Sequence, residues 1–280
     1  MALLFVGTFL KNMKQNRIDT IIKDRASVLF IILSAFFIGN TLIAEFVGVK
    51  IFSLEQSLGF DPLQIEILGI GDLGFNLTAG VLLWPIVFIM TDLINEYFGK
   101  KSVRFLSFVA VGIILYAFIM VYGTILLEPN AWWDTQSGLS DDPSRSITNR
   151  DLAYQSIMGQ GLWIIVGSMV AFLVGQVVDV TVFQKIKKLT GDSKLWLRAT
   201  GSTLVSQLLD SYVVLMIAFY FGADWPLDRV LAIGTINYIY KFVVAVGLTP
   251  LLYLLHGAID SFLGHEVADE LKKEAAISSD

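Results

Sequence analysis

Two stretches of the chain set the same polar pattern into apolar sequence: Gly175-Gln176-Val177-Val178-Asp179 and Ser206-Gln207-Leu208-Leu209-Asp210. Gln and Asp three apart share one face of a helix. The small residue before each Gln lets a neighbouring helix come close. An amide and a carboxylate from each copy can therefore line a common surface. A third group, Asp92, Asn95 and Glu96, stands at i, i+3 and i+4 directly before Gly99-Lys100-Lys101, again on one face. The chemistry on offer is recognition by hydrogen bonds, because carboxylates accept from donor-rich or cationic groups and amides donate to carbonyls. The same residues also have a plainer use. Gln176, Asp179, Gln207 and Asp210 can hold helices together through interhelical hydrogen bonds, worth about 0.6 kcal/mol each, and Glu96 can snorkel or pair with Lys100 at i+4.

Glu45 and Lys241 add two more charges inside apolar runs, with Asn40 and Asn237 near them. An ionisable group at membrane depth costs at least about 2.5 kcal/mol, so such groups face a cavity or a partner. Five carboxylates (Glu45, Asp92, Glu96, Asp179, Asp210) stand against the single ammonium of Lys241. That balance favours a cationic or donor-rich solute, bound protons, or both, and argues against an anion carrier. Lys241 can also serve only as a counter-ion, with Glu45 its partner by depth.

The elements that position these groups are membrane helices. Apolar windows of about 20 residues lie at 28–49, 75–98, 103–127, 161–183, 200–222 and 232–255, each long enough to cross about 30 Å of hydrocarbon. The runs are continuous, without the period-two alternation of barrel strands. The expected fold is an all-α integral membrane protein, a six-transmembrane-helix bundle. With 55% hydrophobic and 16% charged residues and a pI near 5.1, the chain is neither a soluble enzyme, nor disordered, nor a nucleic-acid binder. It has no Cys, so no disulfide framework. Fifteen of the 20 Lys and Arg fall in the N-terminal tail, after the second and fourth windows, or in the C-terminal tail, which places both termini in the cytoplasm.

This divides the chain into a cytoplasmic tail, 1–27, whose MALLFVGTFL stretch reads as an interfacial segment, a transmembrane domain, 28–256, and a cytoplasmic C-terminal tail, 257–280. Asn76 and Thr78 soften the start of the second window, and Trp84-Pro85 should kink it midway. The outer connection at 128–160, with Trp132, Trp133, Asp141, Asp142 and Pro143, is long enough for a surface helix or lid. Trp163 and Trp225 at the outer face and Trp196 at the inner face form an aromatic belt. Gly167, Ala171 and Gly175 make a packing row, Thr249-Pro250 predicts a kink, and His256 and His265 read as solvated. No phosphate loop, HExxH or GxSxG is present, so no catalytic residue, metal or cofactor is expected.

The run from Trp84 through Asp92, Asn95, Glu96 and Gly99, the run from Gly175 to Lys187, the stretch Leu195 to Thr203, and Ser206 to Ser211 together resemble the queuosine precursor transporter family, also called the vitamin uptake transporter family. Lys241 followed by Thr249-Pro250 is similar to its last span. The outer insertion near 130–155 departs from shorter members. The resemblance implies a multi-pass importer in the cell inner membrane, not an enzyme, that takes up 7-deazaguanine bases (7-cyano- or 7-aminomethyl-7-deazaguanine, or queuine) for tRNA modification. A deazaguanine presents a ring N–H and an exocyclic amine side by side, which one carboxylate can accept in a fork. Asp210 or Asp92 would take that edge, Gln207, Asn95 or Lys241 would donate to the carbonyl, and Trp84 would stack on the ring. Glu96, Gln176, Asp179 and Asn237 complete the candidate set. Transport could be proton-coupled, facilitated, or driven by a separate ATPase to which this chain would be the substrate-binding subunit. An intramembrane enzyme using Asp179 and Asp210 as a carboxylate pair is the alternative from another class; no nucleophile or metal motif accompanies the pair. Expected partners are the nucleobase-like substrate, membrane lipid and a second copy of the chain, with no nucleic acid.

Overall fold

Asp24 opens the first long helix. Its carboxylate accepts hydrogen bonds from the Ser27 hydroxyl and from the backbone N–H groups of Ser27 (3.1 Å) and Ala26 (3.3 Å), pairing donors that a helix start leaves unmet. These bonds, that of the Ser27 side chain foremost, hold the Asp24 carboxyl below its usual range. Helix α1 follows at Arg25–Val47. It buries Leu29, Leu33, Phe37, Asn40, Thr41, Ala44 and Glu45 and exposes Ile31, Ile32, Phe36 and Ile43. A face that buries polar groups and exposes large apolar ones is arranged for lipid rather than water.

The computed structural model describes residues 21–134, 147, 149–159, 161–191 and 194–277. The apolar N-terminal ten residues, and Asp141, Asp142 and Pro143 of the outer connection, lie outside the described residues. After α1 the chain makes two small antiparallel ribbons, unannounced by periodicity. Strand β1 (Ile51–Ser53) pairs with β4 (Asn76–Thr78), with Phe52 opposite Leu77, and β2 (Ile65–Ile67) pairs with β3 (Ile70–Leu73) across Leu68-Gly69. Buried Glu55 ties the ribbons' base, accepting from the Phe75 N–H (2.7 Å) and the Ser53 hydroxyl (3.1 Å).

The second window therefore does not begin as a helix at 75. Helix α2, Trp84–Ile125, starts at the Trp84-Pro85 pair with Pro in its first turn, where the missing N–H costs nothing. Pro85 starts this helix instead of kinking it. Its 42 residues are broken at Gly99 (φ 78°, ψ 169°), a conformation open essentially to glycine alone. The chain folds back there. Phe98 packs edge-on against Phe30 at the start of α1 (5.0 Å between ring centroids), whereas Phe118 stacks on Phe46 near the end of α1 (5.6 Å). Gly80, just before Trp84, also lies at that far end, where an added Cβ would come within 2.8 Å of the Ala44 carbonyl oxygen.

Helix α3 (Arg150–Met158) precedes α4 (Leu162–Thr190), and α5 (Leu195–Leu215) runs antiparallel to α4 and continues through a π-turn at Met216–Phe221. The small row works as expected: Gly167 lies against the Val214 carbonyl and Gly175 against Ser206 and Asp210, with Ala171 buried between them. Helix α6 (Leu227–Gly247) is followed, after a break at Leu248, by α7 (Thr249–Leu263), with Pro250 in its first turn. The expected kink is thus a helix boundary. The domain limit drawn at 256 falls inside α7, and α8 (His265–Ile277) packs back, burying Ala268 and Ala275. Among the described residues five helical segments are long and apolar enough to cross a membrane: α1, α2, α3 with α4, α5 with its π-turn, and α6.

Candidate functional site

Three helix faces and a helix start enclose a cavity. Trp84, Phe88 and Asp92 project at i, i+4 and i+8 from α2, Thr200, Thr203 and Gln207 at i, i+3 and i+7 from α5, and Lys241 and Ala245 from α6; Leu248, Thr249 and Leu252 close one side. Most of the wall is apolar, with a few convergent polar groups, as small-molecule sites are built. Asp92 is buried with its Oδ1 unpartnered, and so is Gln207 with its Oε1. Buried acceptors without donors are costly, so the Asp92 oxygen marks where donors from a solute would be received, with the Gln207 amide beside it. The Trp84 ring, tilted against Phe172 at 5.7 Å, supplies an apolar face.

Of the ten expected site residues, the structure brings Trp84, Asp92, Gln207 and Lys241 to this cavity. The remaining six lie off its wall. Asp210 is bonded to Lys241, and that ion pair, one-seventh to one-fifth exposed, aims the ammonium. Glu45, the partner expected for Lys241 by depth, instead accepts the Ser168 hydroxyl. Asn95 accepts from Gln184 Nε2 at 2.7 Å, and Gln176 meets Thr91 Oγ1 at 3.0 Å, both bonds joining α2 to α4. Asp179 is fully buried and accepts from Ser206 Oγ at 3.1 Å. Asn237 is half-buried on α6, one turn from Lys241. Among the described residues no group of three or more His, Cys, Asp or Glu is placed to hold a metal ion.

Glu96 does not sit at a solvated membrane exit paired with Lys100. It is buried and chelated: Arg198 reaches Oε2 with Nε (3.1 Å) and Oε1 with Nη2 (2.8 Å), and Lys187 Nζ lies 3.2 Å from Oε1. Arg198 also donates to the Gly191 carbonyl at 2.9 Å. Counting Lys187 and Arg198 as cytoplasmic loop charges hid them from sequence reasoning; the signal that could have found them was the need of Glu96, on the Asp92 stripe, for a cation. Below this layer Tyr97 donates to Asp260 at 2.7 Å, Lys272 of α8 pairs with Asp260 at 2.9 Å, and His256 packs on Tyr97 and lies 3.4 Å from Asp260. His256 is therefore mostly enclosed rather than solvated.

A family model described as "Putative vitamin uptake transporter" matches residues 78–255, which hold the whole cavity. The chain is 30% identical over 181 residues to a "Probable queuosine precursor transporter" of Bacillus subtilis, covering 64% of this chain and 72% of the relative. It is 27% identical over 186 residues to a protein of the same name from Haemophilus influenzae (66% and 70% covered) and 23% identical over 214 residues to the "Queuosine precursor transporter" of Escherichia coli (76% and 86%). No solved structure gives a significant match.

Proposed function

The chain belongs to the vitamin uptake transporter family, and from that premise we propose that it is a multi-pass inner-membrane importer of queuosine precursors, taking up 7-deazaguanine bases for tRNA modification. The observation that carries the substrate class is one cavity that combines the free oxygen of Asp92, the amide of Gln207, the ammonium of Lys241 and the Trp84 ring. Asp92 accepts the ring N–H and exocyclic amine, Lys241 and Gln207 donate to the ring carbonyl, and Trp84 stacks. Asp210, already bonded to Lys241, acts as the positioning residue for that donor. Asp179 and Asp210 answer to different partners, Ser206 and Lys241, which supports a carrier over an enzyme built on that pair.

The fold-back at Gly99 supports six crossings, with 84–98 and 100–125 as separate spans, and the distribution of Lys and Arg supports cytoplasmic termini. The chain contains no Cys, so single cysteines report topology without background. Cysteine at Gln56 should react with an impermeant maleimide from outside, and cysteine at Lys101 only after permeabilisation; the reverse result would invert the assignment. Function is tested by equilibrium binding of 7-aminomethyl-7-deazaguanine to the purified protein, with guanine as competitor. Saturable binding that Asp92→Asn weakens about 10- to 100-fold supports the reading, and binding indifferent to that change removes Asp92 from the site.

A further inference from the structure

Asp92 on α2 and Asp179 on α4 lie at one level of the seam between these helices, bracketed on one side by the Thr91–Gln176 hydrogen bond (3.0 Å) and on the other by the Gln184–Asn95 bond (2.7 Å). Both are buried, 4% and 0% exposed, and each keeps one carboxylate oxygen without a partner, Oδ1 of Asp92 and Oδ2 of Asp179. Their charges interact. The other charged groups within reach are Glu96 and Arg198, and these two are committed to each other, with Lys187 on the same carboxylate. The ammonium of Lys241 is taken by Asp210. From α5 the pair meets only hydroxyls, with Ser206 donating to Asp179. Two buried carboxylates at one level with no cation of their own resist ionising together, so the pair takes up a proton readily and gives it up only when other donors turn to it.

We propose that Asp92 and Asp179 form a proton-binding site that couples transport to the proton gradient, with Asp179 as the carrier of the coupled proton. This rests on the reading that Asp92 receives the donor edge of the base. To accept two N–H groups Asp92 must be ionised, so the single proton of the pair resides on Asp179 when the base is bound. One proton is taken from outside and, after the base leaves, is released inside. The buried amide nitrogens of Asn95 and Gln176, which lack acceptors, stand at i+3 from Asp92 and i−3 from Asp179, where they can receive the ionised carboxylates after release. A proton fits better than a sodium ion. Sodium sites in transporters draw on carbonyls of unwound helices, whereas 84–98 and 162–190 are unbroken at this level.

The test uses the full-length protein in liposomes, with labelled 7-aminomethyl-7-deazaguanine and imposed gradients. Wild type should accumulate the base under an inward proton gradient, up to about tenfold per pH unit for one proton, and not under a sodium gradient. Binding to wild type should follow a bell-shaped pH profile. Asp179→Asn, which mimics the protonated partner, should lose accumulation, keep measurable counterflow exchange and lose the alkaline limb of the profile. Asp179→Glu should restore accumulation, which separates a proton role from misfolding. Accumulation by Asp179→Asn equal to wild type, or a sodium-driven wild type, overturns the coupling site while leaving the substrate reading intact. Absence of any binding to wild type would instead overturn the substrate reading.

Discussion

The cavity wall and the layer beneath it hold similar residue types in opposite states. At Asp92 and Gln207 on the wall, and at Asp179 and Gln176 off it but at the same level, buried polar atoms stand without partners. One turn further toward the Lys-rich end, the carboxylate of Glu96 is chelated by Arg198 and Lys187, and the Asp260 cluster follows with Tyr97 and Lys272. Polar groups satisfied within the chain rigidify it, whereas groups left open are available to something else. The lower layer is thus a floor tied within the chain, and the wall above it is where we propose the base binds.

Mutations in the two regions should separate stability from binding. The largest effect is expected in the floor. Glu96→Gln leaves Arg198 and Lys187 buried without their anion, a loss of about 3–5 kcal/mol, and should appear as a lower unfolding temperature in detergent, with or without the base present. In the wall, Asp92→Asn removes charge-assisted bonds worth about 1.5–3 kcal/mol, a 10- to 100-fold weaker Kd by isothermal titration, with the unfolding temperature unchanged or raised because an unpaired carboxylate is gone. A destabilised Asp92→Asn would erase the contrast. Gly99→Ala probes the joint between the regions. The backbone there should cost about 1–3 kcal/mol with a Cβ, read as lower thermal stability and faster proteolysis. The smallest effect is expected at Asp24, whose removal by Asp24→Ala takes away only an exposed cap. Its carboxyl is held low in the folded state, so its contribution is full above the unfolded value and is lost as pH falls through the folded one; wild type and Asp24→Ala should converge in stability on acidification.

Much of this was legible in the sequence because a bilayer demands long apolar runs and makes buried charges rare. Asp92 and Lys241 stood out on that ground, Gln207 by its repeated pattern with Asp, and Trp84 as the ring that the family resemblance offered for stacking; all four line one cavity. What sequence could not supply is azimuth. Depth alone offered Glu45 to Lys241, but α6 turns Lys241 toward Asp210 on α5 and Glu45 turns toward Ser168. Arg198 and Lys187 near helix ends read as loop charges, since a count of basic residues carries no lateral direction. Pro85 reads alike as a kink or a helix start until Asn76–Thr78 are known to be strand, followed only by a short 3-10 turn at Ala79–Leu82. The ribbons at 51–78 escaped because strands of three or four residues show too few alternations to register.

The reversal at Gly99 has a mechanical meaning. A loop between two helices would absorb any movement of one relative to the other, but here a single residue joins the cavity wall, 84–98, to a helical segment that exposes Phe105, Phe108, Tyr116 and Ile119. Helices adjust their tilt to the hydrocarbon thickness around them. A bilayer thinner or thicker than the segment after Gly99 should therefore pull on the wall that carries Asp92 through one φ,ψ pair, so the uptake rate should vary with lipid chain length.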